Sequence, residues 1–204
     1  MNSNTAHFFL TGGSLNMVKS FNLVKKEDFV ITTNFGILNK YIATRSNAYF
    51  INNSYRLIYR KNAQMSLKLA EGNVDKDCVF YVKKKYINYA KSININRKVR
   101  PIPIYLTWLG KLIKEKKIHS TTHYCGFHIL NLLNYKTIYL WGADYILDKP
   151  IISHFYNFNM EYRDQADIIT YNSYNYIKQK FNDIKIIHVC PEGAKSAIFE
   201  TINA

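Results

Sequence analysis

The stretch HSTTHYCGFHILNLLNYKTIYLWGAD, residues His119–Asp144, decides the fold. Ser120, Thr121 and Thr122 can cap a helix and hold an anion at its positive end. An amphipathic helix follows, then a short Asn134-Tyr135-Lys136 turn, then Ile138–Trp141, an apolar run of the length of a buried strand. That strand closes on Gly142-Ala143-Asp144. A helix feeding a parallel strand whose carboxyl end carries Gly and Asp is the geometry at which open α/β sheets place ligands.

The same grammar recurs outward from this stretch. His7-Phe8-Phe9-Leu10 runs into Thr11-Gly12-Gly13-Ser14-Leu15, which reads as strand, glycine turn and helix start. Paired glycines let backbone N–H groups approach a phosphate, and Ser14 is positioned to cap the helix. A tight turn with no ligand fits the same residues. Asp28–Phe35 is the second strand, with Asn34 near its carboxyl end, and residues 47–53 form the third, closing on Asn52-Asn53. Amides there donate and accept along one rim, although Asn is also an ordinary turn residue. Ser54–Leu69 has helical spacing, and Cys78–Val82 is a fourth strand running into Lys83-Lys84-Lys85. Tyr86–Pro103, polar and basic, is expected to be loop. Ile104–Lys117 reads as a helix with Leu106, Leu109 and Ile113 inward, and Leu147–Met160 as an irregular loop over the rim. Asp164–Phe181 is a helix and Lys185–Cys190 the last strand, ended by Pro191-Glu192-Gly193. Alternating strands and helices predict an α/β domain: a single, mostly parallel sheet with helices on both faces.

With 204 residues, 48% of them hydrophobic, one domain spanning 1–204 is expected. The net charge of +14 is gathered in runs such as Lys83–Lys85 and Lys111–Lys117, which favours anionic partners: nucleic acid, anionic lipid or a phosphorylated substrate. A solvated lysine face accounts for any single run equally simply. Three widely spaced cysteines suggest reduced thiols. Met1-Asn2-Ser3-Asn4 opens without a basic leader, and no run has the eighteen or so apolar residues of a membrane span, so a cytosolic protein is expected. His119 and His123 lie four apart, near Cys125 and His128, but no carboxylate in the segment completes a common ligand set, so no metal is expected. Asp144 can orient a ribose, bind a cation or cap the next loop.

In order along the chain, these motifs resemble the bacterial sialyltransferases of glycosyltransferase family 42. Gly12-Gly13-Ser14-Leu15 stands where the family has a Gly-Asn-Gly-Pro-Ser-Leu loop, Thr33-Asn34-Phe35 where it has Cys-Asn-Gln, and Ile51-Asn52-Asn53 where it has Tyr-Asn-Pro. His119-Ser120-Thr121-Thr122-His123 matches Arg-Ile-Thr-Ser-Gly, and residues 134–144 match Gly-Tyr-Lys-Glu-Ile-Tyr-Leu-Ser-Gly-Ile-Asp. Cys190-Pro191 matches a closing Cys-Pro. The resemblance implies a Rossmann-like sheet of variant GT-A type that transfers sialic acid, or a related keto-sugar acid such as Kdo, from a CMP-activated donor without a metal or other cofactor. The acceptor would be a glycan or lipid-linked sugar of the bacterial surface, as in lipopolysaccharide, with a peripheral contact to anionic membrane left open.

By the same resemblance Asn34 and Asn52 would contact cytidine or sugar, Thr121 and Thr122 the donor, and Gly12, Gly13 and Ser14 the nucleotide. His119 replaces an Arg, and Tyr145 or Tyr156 substitutes for a phosphate-binding Tyr. Tyr162 falls where the family carries its catalytic His, so the base for the acceptor hydroxyl would be His154, His123 or Tyr162 itself. His154 is the favoured base, because a rim-loop imidazole titrates near neutrality. Two other readings stay open: a basic nucleic-acid-binding module, and a relative that binds CMP-sugar without turnover.

Overall fold

A computed structural model describes residues 4–52, 57–93, 95, 97–103, 111–112, 114–115, 121–148 and 164–204. Among the described residues eight strands form one sheet: β1 (Thr5–Phe9), β2 (Phe29–Thr33), β3 (Ala48–Ile51), β4 (Val79–Val82), β5 (Val99–Pro101), β6 (Thr137–Trp141), β7 (Lys185–Cys190) and β8 (Glu200–Asn203). Their order is β5-β4-β3-β2-β1-β6-β7-β8, and every pairing is parallel. The chain winds outward from β1 through β5, returns across the sheet, and winds outward again from β6. The switch point therefore lies between β1 and β6, where a doubly wound sheet opens a crevice beyond its carboxyl ends.

The two faces of the sheet carry different helices. Helices α1 (Lys40–Arg45), α2 (Leu57–Asn73) and α3 (Lys84–Ser92) connect β2 through β5 in turn. Ala63, Leu67 and Ala70 of α2, at helical spacing, pack with Tyr49, Ile51, Phe80 and Val82. On the opposite face lie α4 (Thr121–Leu132) and α5 (Asp164–Lys180), whose Phe127, Leu130, Tyr174 and Ile177 pack with Phe8, Phe50, Ile138 and Leu140. These strands are buried on both faces, which is why they read as continuous apolar runs. Contact between α4 and β1 is close: a Cβ on Gly126 would fall 2.2 Å from Phe8 Cζ.

Two expectations are corrected. Tyr86–Pro103 holds α3 and β5 rather than loop alone, because Tyr86 and Ala90, four apart, both bury and Ile87, Tyr89 and Ile93 pack beside them, while Asn88 faces out. Strand β5 is short, and Pro101 is tolerated because it sits at the sheet edge, paired only to β4. The sheet does not end at Cys190: β8 adds beside β7, with Ile187 opposite Glu200 and Cys190 opposite Asn203. Of the helix read over Ile104–Lys117, only Lys111, Leu112, Lys114 and Glu115 are among the described residues, with Leu112 buried.

One polar cluster sits inside the sheet. His7 Nε2 lies 3.1 Å from Asp28 Oδ2, and the Trp141 indole N–H donates to His7 Nδ1 at 3.1 Å. An indole nitrogen can only donate, so Nδ1 must accept and the proton must sit on Nε2, where it donates to Asp28. Burial lowers the pKa of His7, with Asp28 opposing. The neutral tautomer satisfies both neighbours, and this cluster ties β1, β6 and the approach to β2 together.

Candidate functional site

The described strand-end residues singled out in the sequence, Asn34, Asn52 and Asp144, lie along one rim, at the carboxyl end of the sheet. Its β1/β6 side is built on backbone. Leu10 N–H donates to Trp141 O at 2.9 Å and Gly12 N–H to Gly142 O at 3.0 Å, so the two switch-point turns run together beyond their strands. Gly142 has φ +67, a conformation glycine reaches without strain. At Gly12 a Cβ would lie 2.3 Å from Asp144 Oδ1 and 2.4 Å from Gly142 O, which leaves no room for any side chain.

Asp144 is 2% exposed and accepts from Ser14 N–H at 3.0 Å, from the Ser14 hydroxyl, and from Gly13 N–H. Ser14 therefore does not cap the short 3-10 helix Gly13–Asn16. Its N-cap is Gly12, without a side-chain bond, and Asp144 takes the free N–H groups from across the switch point. A buried carboxylate held there by β6 is a stronger acceptor for those groups than a neutral hydroxyl. Burial raises the Asp144 pKa to about 6, against the pull of the Ser14 and Gly13 donors. Tyr174 of α5 is fully buried, its hydroxyl without a hydrogen-bond partner among the described residues, and burial and the nearby Asp144 charge hold it well above the ordinary phenol range. The His123 ring stacks on Tyr174 with centroids 5.1 Å apart, and Tyr145, beside Asp144, is partly exposed.

The β2–β4 side is built on side chains. Asn34 follows β2 at φ 49, in the left-handed region that Asn tolerates better than most residues, and its carbonyl accepts from the Tyr49 hydroxyl at 2.9 Å. Its side-chain Oδ1 is buried with no hydrogen-bond partner among the described residues. Thr32 and Thr33 donate to Phe9 O at 3.2 Å and Phe50 O at 2.9 Å, tying β2 to both neighbours just below the rim. Asn52, 2% exposed, donates from Nδ2 to Cys125 Sγ of α4 at 2.9 Å. Burial pushes the Cys125 thiol to about 12, so it stays protonated. Lys83 follows β4 and is nine-tenths buried, and burial lowers its pKa.

The first turn of α4 joins the two sides. The chain enters α4 at the rim because the helix runs antiparallel to the strand it feeds, so Thr122, His123 and Cys125 all lie there. Cys125 reaches Asn52 while His123 reaches Tyr174. Of the residues singled out from sequence, Gly12, Gly13, Ser14 and Asp144 are bonded into one unit, with Tyr145 and His123 close by and Asn34 and Asn52 along the same rim. Thr121 opens α4, while its side chain, His119, His154, Tyr156 and Tyr162 lie outside the described residues.

Sequence reading missed Lys83 and Tyr174, and gave Cys125 no role on the rim. Lys83 satisfied the strand-end rule applied to Asn34 and Asn52, but Lys84 and Lys85 disguised it as part of a solvated run. Among the described residues no group of three or more His, Cys, Asp or Glu could hold a metal, and no helix is long and apolar enough to cross a membrane. No protein-family model, curated protein or solved structure matches the chain.

Proposed function

We propose that the protein is a metal-independent glycosyltransferase that uses a CMP-activated acidic sugar, sialic acid or a related keto-sugar acid, to extend a surface glycan. The observation that carries the reading is positional. The Gly12-Gly13-Ser14 turn, the two strand-end amides, the first turn of α4 and Asp144 share the rim at the switch point, in the order of the family 42 motifs they resemble. Asn34 Oδ1, buried without a hydrogen-bond partner among the described residues, suits an exocyclic amine such as that of cytosine.

In the reaction, the acceptor hydroxyl oxygen bonds to the anomeric carbon, the carbon–oxygen bond to the phosphate breaks, and CMP leaves with the electron pair. The hydroxyl proton passes to a base. His123 is the candidate base with a described position, on α4 against Tyr174; His154 and Tyr162 are the others. A buried rim of fixed N–H, amide and cationic groups would stabilise the departing phosphate without reorganising.

A thermal-denaturation screen of nucleotides tests the reading. CMP is expected to raise the melting temperature and AMP, GMP and UMP to do so weakly, and CMP–sialic acid hydrolysis should proceed equally with EDTA. Absence of a shift with CMP or any CMP-sugar sinks the proposal. A salt-sensitive complex with RNA and no CMP effect would put a nucleic-acid-binding module in its place. His154→Ala should abolish transfer and keep CMP binding; an active variant removes His154 from the mechanism.

A further inference from the structure

We propose that the carboxyl rim docks on an anionic lipid bilayer, seating the exposed side chains of Met17, Leu38 and Tyr145 in the interface and setting rim lysines against the headgroups. Its use, access of the rim site to a lipid-linked acceptor, rests on the reading above; the docking itself does not.

Each of the three strands around the switch point is followed by a short 3-10 turn, and each turn carries one exposed apolar side chain. Met17 closes the turn after β1, Leu38 ends the one after β2, and Tyr145 lies in the one after β6. They are 55%, 46% and 37% exposed. Because β2, β1 and β6 are consecutive in the sheet, the three turns leave strand ends about 5 Å apart. The Phe21 and Tyr41 rings stack with centroids 4.7 Å apart, which holds together the segments that follow Met17 and Leu38. Three large apolar side chains gathered at the mouth of a crevice differ from the scattered singles of an ordinary surface.

Charge is sorted along the strand axis in the same sense. The acids gather at the amino ends: Glu27 and Asp28 precede β2, Asp75 and Asp77 precede β4, Asp183 precedes β7, and Glu200 opens β8. At the rim, Asp144 is held by Ser14 and Gly13, and Glu192 pairs with Lys19. A parallel sheet puts the starts of its crossover helices at the rim, and α1 to α4 carry no acidic residue in their first turns. Acids are the favoured neighbours of those positive ends, yet α1 opens on Lys40 and α3 on Lys84, both exposed. A cation at a helix start carries a small cost in water, which an anionic surface offsets. A nucleic acid would engage the lysines and leave Met17 and Leu38 in water, whereas a bilayer takes up both.

Sedimentation of the full chain with vesicles tests this, using phosphatidylcholine alone and phosphatidylcholine with about one-third phosphatidylglycerol. Wild type should sediment with the anionic vesicles and stay in solution with the neutral ones. The pairs Met17→Asp with Leu38→Asp, and Lys40→Glu with Lys84→Glu, should each bind about tenfold or more weaker. Two controls should stay close to wild type: Met65→Asp, comparably exposed on α2, and Lys76→Glu with Lys98→Glu, the same charge change at the amino ends. All are surface positions, and a retained melting profile shows that each variant is folded. No binding of wild type to anionic vesicles, equal weakening by rim and control variants, or unchanged binding by either rim pair overturns the docking face. Rim-dependent vesicle binding by a protein that CMP does not stabilise keeps the face and removes the nucleotide reading, and CMP stabilisation without vesicle binding does the reverse.

Discussion

On the β1/β6 side of the rim a carboxylate satisfies the backbone, whereas on the β2–β4 side side chains satisfy one another beneath a buried ammonium. The first side is closed: Asp144, Ser14 and Gly13 form one bonded unit, and Gly12 has no space for even a methyl group. The second side keeps unmet capacity at Asn34 Oδ1 and joins Asn52 to Cys125 through a weak sulfur acceptor. The difference teaches that a glycine-rich turn at a switch point is not by itself an anion site. What its N–H groups already hold decides whether a ligand can use them.

The largest effect that would break this contrast comes from Gly12→Ala. The new Cβ would meet Gly142 O, which is backbone, as well as the Asp144 carboxylate, so the turns must separate. A loss of about 3 kcal/mol or more is expected in urea denaturation. A loss below about 0.5 kcal/mol would show that the closed side is looser than described.

Next in size is the pH dependence contributed by Asp144. Its folded pKa, about 6, lies above the ordinary 3.8, so folding favours the protonated carboxyl. That contribution is fully present below pH 3.8 and is lost as pH rises through 6, for a change of roughly 3 kcal/mol at about 1.4 kcal/mol per unit. His188, buried and lowered to about 4, acts in the opposite sense: its contribution is present above 6.5 and lost as pH falls through 4. Asp144→Asn should remove the first trend and leave the second. In the wild type the Asp144 carboxyl carbon should titrate near 6 by NMR, and CMP should leave that midpoint in place if its phosphate sits away from the glycine turn. A phosphate in the glycine turn would instead move it upward.

A smaller loss, roughly 1–2 kcal/mol, is expected for Asn52→Ala, which removes the donor to Cys125 from a buried site. That variant should also weaken CMP, whereas an equal loss of stability with full CMP affinity would leave Asn52 a purely structural residue. The smallest effect belongs to the exposed Lys136–Asp183 pair at the amino end of β6. Lys136→Ala should leave both the urea midpoint and CMP binding unchanged.

How much of this was legible in the sequence follows from which forces act locally. The central helix and strand, the Gly12-Gly13 turn and the strand-end Asn34, Asn52 and Asp144 carry their own periodicity and turn chemistry, and they fold as read. Helix α3 hid among lysines because Tyr86 and Ala90 alone are fully buried on it, with Ile87 and Tyr89 only half-buried beside them. Strands β5 and β8 are three and four residues long and owe their form to pairing with β4 and β7 rather than to an apolar pattern. The bond from Ser14 to Asp144 spans 130 residues, and the Asn52–Cys125 contact spans 73. Partners that distant are set by strand order and by α4 lying on β1, so no local reading could show that one end of the rim is closed by its own carboxylate.

The most direct test of the central claim, that the rim is a cytidine-nucleotide site, is a titration of the isotope-labelled protein with CMP followed by backbone amide shifts. The account predicts saturable changes gathered at Asn34, Asn52, Lys83 and Thr122–Cys125, with smaller ones at Gly13 and Ser14 and a weaker response to AMP. Changes confined to the exposed lysines, or none at millimolar CMP, would contradict it.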